Sequence, residues 1–514
     1  MTRTLPTSAS PAAAPSVSKT FQPVEVFAPA APQAPEALRG RRLHFVGIGG
    51  CGMSGLARLA AARGALCTGT DRSESETLDM LREAGIEVSL DQSGDAVPEA
   101  CDVVVASAAI PQEHPEIARA RRGGAEVVKY AQMLGRLMRG TTGVAVSGTH
   151  GKSSTTSMLG HVLIHAGLDP SVIVGAHCAQ IGGGFRCSER SLDPRRADEE
   201  VLVAEACEFD RSFHHLHPTH AVILNVEEDH LDVYANLDAI VESFNVFARR
   251  IPADGLLLVN HEMPHRLAVT AGVSCAVETL GFNPQADWRV EVSWDRSQVA
   301  DGRPLVTLHR RGQAVASWRS PLPGEHMAYN ACAAAVLANR VGAPWPSVAA
   351  GIESFAGLDR RMQRMGDLRL AAWPDGSAPA VVVDDYGHHP TEVDTTLRAL
   401  RRHYAPRRLV CVFQPHQHSR TRFLMEQFAV SFSEADVVIV PHIYFVRDSE
   451  AERQAVGAKD LVDRLRQRGV TAMHLYPFEA IVEQLQNILR PGDLLVTMGA
   501  GDVWKIAREV LRVR

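Results

Sequence analysis

Gly148-Thr149-His150-Gly151-Lys152-Ser153-Ser154 carries the residue types of a phosphate cradle, with one glycine out of place. Such a cradle needs backbone N–H groups converging on a helix N-terminus, a lysine for the outer phosphates and a hydroxyl for Mg2+. The usual P-loop spacing sets a further glycine five residues before the Gly-Lys-Ser glycine, and that position here is Val146. Spacing alone leaves two readings, a shortened cradle and a chance Gly-Lys-Ser. A second glycine run, Gly47-x-Gly49-x-x-Gly52, follows an apolar stretch, and the next apolar stretch ends at Asp71. Glycines there let backbone approach a phosphate while a carboxylate holds a ribose hydroxyl, a pattern that by itself suggests NAD. A tight turn in any doubly wound domain explains it too. Ser107 ends a further apolar stretch before a proline, again where such sheets bind ligands.

Downstream, Glu205 ends "VLVAE", and the run Asn225, Glu227, Glu228, Asp229, His230 and Asp232 follows "AVIL". Carboxylate and imidazole at strand ends beside a phosphate cradle suit a Mg2+ and polyphosphate site, where hard oxygen ligands dominate. A solvated acidic loop with helix caps accounts for the same run. Asn330 lies in a small-residue helix stopped by Gly342 and Pro344, either as a ligand contact or as a polar face residue. Arg360, Arg361 and Arg364 form either a phosphate clamp or an exposed basic helix face. His388 and His389 lack partners at zinc-binding spacing.

The elements that must position these residues are legible in the apolar pattern. "TTGVAVSG" reads as a buried strand, and Leu159, Val162, Leu163 and Ala166 give the following segment helical periodicity up to Gly167. The cradle therefore lies between strand and helix. Repeated apolar strands whose far ends turn polar indicate an α/β fold of doubly wound sheets with ligands at the strand C-termini. The predicted division is a disordered Pro/Ala/Ser-rich tail over residues 1–39, then domains over 40–139, 140–355 and 356–514. A net charge of −6 argues against a nucleic-acid binder, and no apolar run approaches the roughly 18 residues of a membrane span. Nine cysteines without a C-x-x-C pair, and a start lacking an apolar signal core, suggest a cytoplasmic protein with reduced thiols. Only five lysines accompany 48 arginines, and none lies between Lys152 and Lys459.

In order, "GIGGCGMSGLA", "GTHGKSSTT", "EACEFDRSF", "NVEEDHLD", "PGEHMAYNACAA", "FAGLDRRM", "DDYGHHPTE", "FQPHQHSRT" and "MGAGDV" resemble the Mur ligases, ATP-dependent amide-forming enzymes of peptidoglycan precursor synthesis. The resemblance covers nearly everything from residue 40 to the end. It implies a Rossmann-like UDP-binding domain, a central P-loop ATPase-type domain and a C-terminal Rossmann-like domain. In this family the phosphate loop is the short G-T-x-G-K-[ST] form, so Val146 is no defect. The resemblance further implies that L-alanine is joined to the lactyl carboxylate of UDP-N-acetylmuramate through an acyl phosphate, with ATP and Mg2+. It assigns Gly49, Gly50, Gly52, Ser54, Asp71 and Ser107 to the UDP-sugar. The loop Gly148–Ser154, with Asn330, Arg361 and Asp385, falls to ATP; Ser153, Glu205 and His230 fall to the metal. Tyr386, His416 and Arg420 fall to the amino acid, and Lys152, His230 and His388 to catalysis. A monomer or homodimer is expected. The absence of any lysine after Lys152 in the central domain leaves the first-step and recycling branches, because later ligases commonly use a carbamylated lysine there. Alternatives are a recycling ligase adding a tripeptide to the same sugar nucleotide and a nicotinamide-dependent oxidoreductase with a P-loop domain. Three departures touch substrate recognition: Cys207 stands where an aspartate is usual, Gln417 where arginine can occur, and "HIYFVRDSEAER" replaces the usual third-domain loop.

Overall fold

The computed structural model describes residues 36–192, 196, 199–294 and 303–512, so most of the tail expected over residues 1–39 lies outside the described residues. Among the described residues the apolar runs form three sheets. The first is parallel throughout, in the order Glu87–Ser89, Leu66–Thr70, Arg42–Val46, Val103–Ala106, Glu126–Lys129. Its middle strand, Arg42–Val46, feeds the glycine loop and the helix Cys51–Ala62. That is where strand order reverses and a crevice opens at the strand ends.

The second sheet runs Gln313–Arg319, Leu305–Arg310, Trp288–Ser293, Ala276–Gly281, Leu256–Asn260, His220–Ile223, Thr142–Ser147, Val201–Ala206, Ser171–Cys178, Gly183–Arg186. Its middle is parallel; Leu305–Arg310 and Gln313–Arg319 extend one edge antiparallel, and Gly183–Arg186 closes the other. Val146 is a fully buried residue of Thr142–Ser147, paired with Val222 and Glu205. The strand thus occupies the position where a longer P-loop would begin. The helix Lys152–His165 follows, buries Leu159, Val162 and Leu163, and ends before Gly167, whose φ of +75° no side chain would welcome. Each of those three side chains contributes about 1.5–3 kcal/mol of burial. The helix Glu325–Arg340, lined with alanine, packs beside it.

Successive residues of these central strands serve different cores, as a period of two requires. Val144, Val146, Val203, Val222 and Leu258 belong to a core that continues into Val383, Phe413 and Val438 of the last sheet. Ala145, Leu202, Ala204, Ile223 and Val259 belong to a core shared with Phe45, Leu56 and Met133 of the first.

The last sheet runs Gln363–Leu368, Ala380–Asp385, Leu494–Met498, Leu409–Phe413, Val437–Val440, Thr471–His474, parallel except for its first strand. Here the basic-helix reading of "FAGLDRRMQRM" is corrected. Arg360 and Arg361 sit in a turn, with φ of +61° at Arg360 and +46° at Met362, and Arg364 lies on the edge strand with its guanidinium on Asp367 at 2.7 Å. Charged residues on that strand leave the sheet edge solvated.

Candidate functional site

Two glycines shape the phosphate loop. Gly148 (φ +137°) lies where a Cβ would come within 3.0 Å of Leu224 Cβ and 3.1 Å of the Asn225 nitrogen. Gly151 (φ +84°) opens the helix, and a Cβ there would lie 2.9 Å from Asn330 Oδ1. Asn225, just beyond its strand, fixes the loop from the side: its Oδ1 accepts the His150 N–H at 2.7 Å, and its backbone carbonyl accepts that of Thr149 at 3.1 Å. Thr149 Oγ1 in turn accepts the Glu227 N–H at 2.9 Å.

Lys152 folds back over this loop. Its ammonium donates to the carbonyl of Gly148 at 2.5 Å and to the carboxylate of Glu208 at 2.9 and 3.2 Å. Burial opposes the ammonium's charge, yet Glu208 and its neighbours outweigh that and hold Lys152 above the usual lysine range. Glu208 faces this site and was not singled out by the sequence reading; its one signal was a carboxylate just past the strand Val201–Ala206. It also lies 3.9 Å from His230 Nε2. Cys207, where an aspartate was expected, is a thiol pushed up to about 11 by burial and by Glu208, and so carries no charge at neutral pH.

Above the loop opens a cleft of about 320 Å3 between the central and last sheets. His150, Gly151, Ser154, Asn330, Arg361 and Asp385, drawn from four separate segments, all line it. His150 lies 3.3 Å from Glu392 and 3.5 Å from Glu227. Burial works against its proton, but the two carboxylates prevail and raise it to about 9. His150, Glu227 and His389 are close enough to face one cation, though a protonated His150 opposes metal binding there. Asp385 accepts the N–H groups of Met362 and Gly387 at 2.7 Å each, while burial lifts it to about 6 against the pull of Arg361. Tyr386 is held by cations, with Arg360 5.0 Å and Arg361 4.9 Å from its ring centre.

A second cavity of about 310 Å3 lies where the first domain meets the central sheet. Gly50, Gly52, Ser107, Tyr130, Glu205 and Cys207 line it. A Cβ on Gly52 would lie 2.9 Å from the Tyr130 hydroxyl. Asp71 Oδ2 accepts the Gly49 N–H at 2.8 Å, so this carboxylate shapes the glycine loop itself, and Ser54 donates to the Cys51 carbonyl. Glu205 accepts the Gly175 N–H at 3.1 Å. Ser153 sits in the first turn of its helix, and His230 carries a buried Nδ1 with no partner among the described residues. The hydroxyl of Ser153 and the carboxylates of Glu205 and Glu208 are the hard oxygen donors that suit Mg2+ with a polyphosphate, and the unpartnered His230 nitrogen is open to a ligand.

The remaining expected residues gather on the last domain. His388 Nδ1 lies 3.1 Å from the Tyr386 carbonyl, and the rings of His388 and His416 are 5.6 Å apart. Burial keeps both imidazoles neutral, at about 4 for His388 and about 2 for His416, where His388 and Arg420 add to the effect. Arg420, which the resemblance gives to the amino acid, reaches Asp229 Oδ1 of the central domain with Nη2 and Nε at 2.6 and 3.0 Å, and its Nη1 donates to His416 Nδ1 at 3.1 Å. Burial resists ionisation of Asp229, but Arg420 holds it well below the usual carboxylate range.

The chain is similar to known proteins over most of its length. Three family models tile the chain: the Mur ligase family catalytic domain over residues 42–142, the Mur ligase middle domain over 146–338, and the Mur ligase glutamate ligase domain over 360–501. A UDP-N-acetylmuramate–L-alanine ligase from Clostridium novyi is 37% identical over 475 residues, 92% of this chain and 98% of that protein. One from Desulfitobacterium hafniense is 37% identical over 470 residues, 91% and 99% of the two chains. The solved UDP-N-acetylmuramate–alanine ligase of Thermotoga maritima shares the fold with a TM-score of 0.71, at 24% identity and covering 92% of this chain and 98% of its own. A murein peptide ligase from Psychrobacter arcticus is 25% identical, with a TM-score of 0.65, and covers 92% and 98%. Matched in order by three of its models between residues 42 and 501 and by a relative over nine-tenths of its length, the chain belongs to the Mur ligase family.

Proposed function

We propose that this enzyme uses ATP to join L-alanine to the lactyl carboxylate of UDP-N-acetylmuramate, in the cytoplasm, as a step of peptidoglycan precursor synthesis. The observation that carries this reading is the position of Lys152. It belongs to the loop that floors the nucleotide cleft, and it grips Glu208, the neighbour of Cys207 in the wall of the second cavity. A lysine so placed can serve a phosphoryl group passing from one cavity to the other.

In this reading residues 40–139 bind the sugar nucleotide, 140–355 bind ATP and 356–514 close over both. Gly50, Gly52 and Ser107 receive the UDP-sugar, with Asp71 holding the loop. Asn330 faces the adenine and Arg361 the phosphates; Lys152 exchanges Glu208 for the outer phosphates. Ser153, Glu205 and His230, with Glu208 beside them, would hold Mg2+, which supplies charge neutralisation at the phosphates when bound. A carboxylate is a poor electrophile because its charge is delocalised and its oxygen leaves badly. Phosphorylation by ATP makes one oxygen a leaving group. The amine of L-alanine then adds to the acyl phosphate, and the tetrahedral intermediate collapses with loss of phosphate. Fixed cations and N–H dipoles stabilise the charge that builds on the transferring group. His388 and His416, both uncharged at neutral pH, can accept hydrogen bonds from the incoming amine and orient it.

Labelling the lactyl carboxylate with heavy oxygen tests the chemistry: one label should appear in the released phosphate. Phosphate release should also require L-alanine. Release with a tripeptide alone would transfer the enzyme to the recycling branch, and retention of all label in the organic product would remove the acyl phosphate.

A further inference from the structure

The seam between the central and last domains holds two side chains, Glu227 and His389, that the ligase chemistry leaves without a role. They face His150, whose Nε2 is buried and has no hydrogen-bond partner among the described residues. That nitrogen lies 3.5 Å from Glu227 Oε2, and His389 Nδ1 lies 3.9 Å from the same oxygen. The two imidazole ring centres are 4.6 Å apart, and the three ligand atoms all fall within 4.8 Å of one another. Tetrahedral Zn2+, with bonds of about 2.0–2.1 Å, holds its ligand atoms roughly 3.4 Å apart. Both distances to Glu227 are close to that spacing before any cation draws the set together.

Contacts behind the three residues already orient them. His389 Nε2 lies 3.0 Å from the Glu228 carbonyl. A carbonyl can only accept, so Nε2 carries the ring proton and the Nδ1 lone pair is left facing Glu227 and the Thr391 N–H, the latter at 3.3 Å. An imidazole whose second nitrogen is fixed on a carbonyl is the usual form of a metal-binding histidine. The Thr391 hydroxyl donates to Glu227 Oε2 at 2.6 Å and holds that carboxylate in place.

The ligand types select the cation. Mg2+ takes oxygen donors and keeps its waters, so it has little use for two imidazoles. A late first-row cation prefers them, and on binding it expels the proton that His150 shares with Glu227 and Glu392. His150 and Glu227 belong to the central domain, whereas His389 caps the helix Pro390–Tyr404 of the last domain.

We propose that His150, Glu227 and His389 form a Zn2+ site that staples the last domain to the central one, separate from the Mg2+ ligands assigned above. The nucleotide-free full chain tests this, with Co2+ as the spectroscopic probe for Zn2+, in wild type, His389→Gln and Glu227→Gln. Wild type should take up Co2+ with the intense visible bands of a four-coordinate site and without thiolate charge-transfer absorption. Zn2+ should abolish those bands and Mg2+ should leave them. In H389Q and in E227Q the bands should vanish, and the Kd for Zn2+ by calorimetry should rise at least about tenfold. The increase in melting temperature that Zn2+ gives wild type should be lost with them. The wild-type spectrum decides before any substitution: absence of the bands overturns the site, and thiolate absorption overturns it by placing the cation on a cysteine. Bands that persist in either folded variant overturn it as well.

Discussion

His150 should act as a pH-dependent latch between the central and last domains. Its ring lies 3.3 Å from Glu392, on the helix Pro390–Tyr404, and 3.5 Å from Glu227, and its side chain is only 12% exposed. A rise from 6.5 to about 9 corresponds to roughly 3 kcal/mol, at about 1.4 kcal/mol per unit. The sign follows from the direction of the shift: the folded protein binds this proton more tightly than the unfolded chain. The stabilisation is therefore complete below about pH 6.5 and is lost as pH rises through 9. His150→Asn removes the titration while keeping a polar group. Melting curves or denaturant titrations from pH 6 to pH 10 should show wild type exceeding H150N by about 3 kcal/mol more at the acid end than at the alkaline end. A gap that stays constant across that range would show that His150 carries no proton between the two carboxylates.

Lys152→Ala should keep sugar-nucleotide binding, measured by calorimetry, and lose phosphate release by at least about a hundredfold, the scale of a lost transition-state cation; near-normal release would remove the P-loop role. Gly151→Ala should weaken ATP binding by about 1–3 kcal/mol, because the residue sits at φ +84° and its Cβ would press on Asn330, and unchanged affinity by fluorescence titration would contradict the cradle. Glu208→Gln frees Lys152 from its competitor, so nucleotide without Mg2+ should bind about tenfold tighter while the nucleotide-free protein melts lower; weaker binding would mean that Glu208 does not compete with phosphate.

Glycines and strand ends made much of this site readable in advance. Gly148, Gly151 and Gly52 sit where backbone angle or close approach admits no side chain, and such positions mark a sequence strongly. Asp385, His388 and Tyr386 lie at or just past the end of Ala380–Asp385, where a buried strand meets the crevice, so an abrupt change from apolar to polar exposed them. Contacts closed by tertiary folding left no such mark. Lys152 and Glu208 are 56 residues apart, and Arg420 and Asp229 are 191 apart; neither pair shares a local period. Asp71 stood at the right distance for a ribose, yet its Oδ2 holds the loop that precedes it. The antiparallel strands between Trp288 and Arg319 contain none of the motifs, and the turn at Arg360 was hidden because three arginines in five residues fit a helix face equally well.

Lysine is so scarce here that the chain supplies its own chemical reporter. Between Lys129 and Lys459 the one primary amine is that of Lys152, folded back on the phosphate loop with 15% of its side chain exposed. An acylating reagent finds one amine in that whole span, and it finds it protonated and paired with Glu208. The extent of its modification, counted by mass on a single peptide, becomes a gauge of how often that ion pair opens.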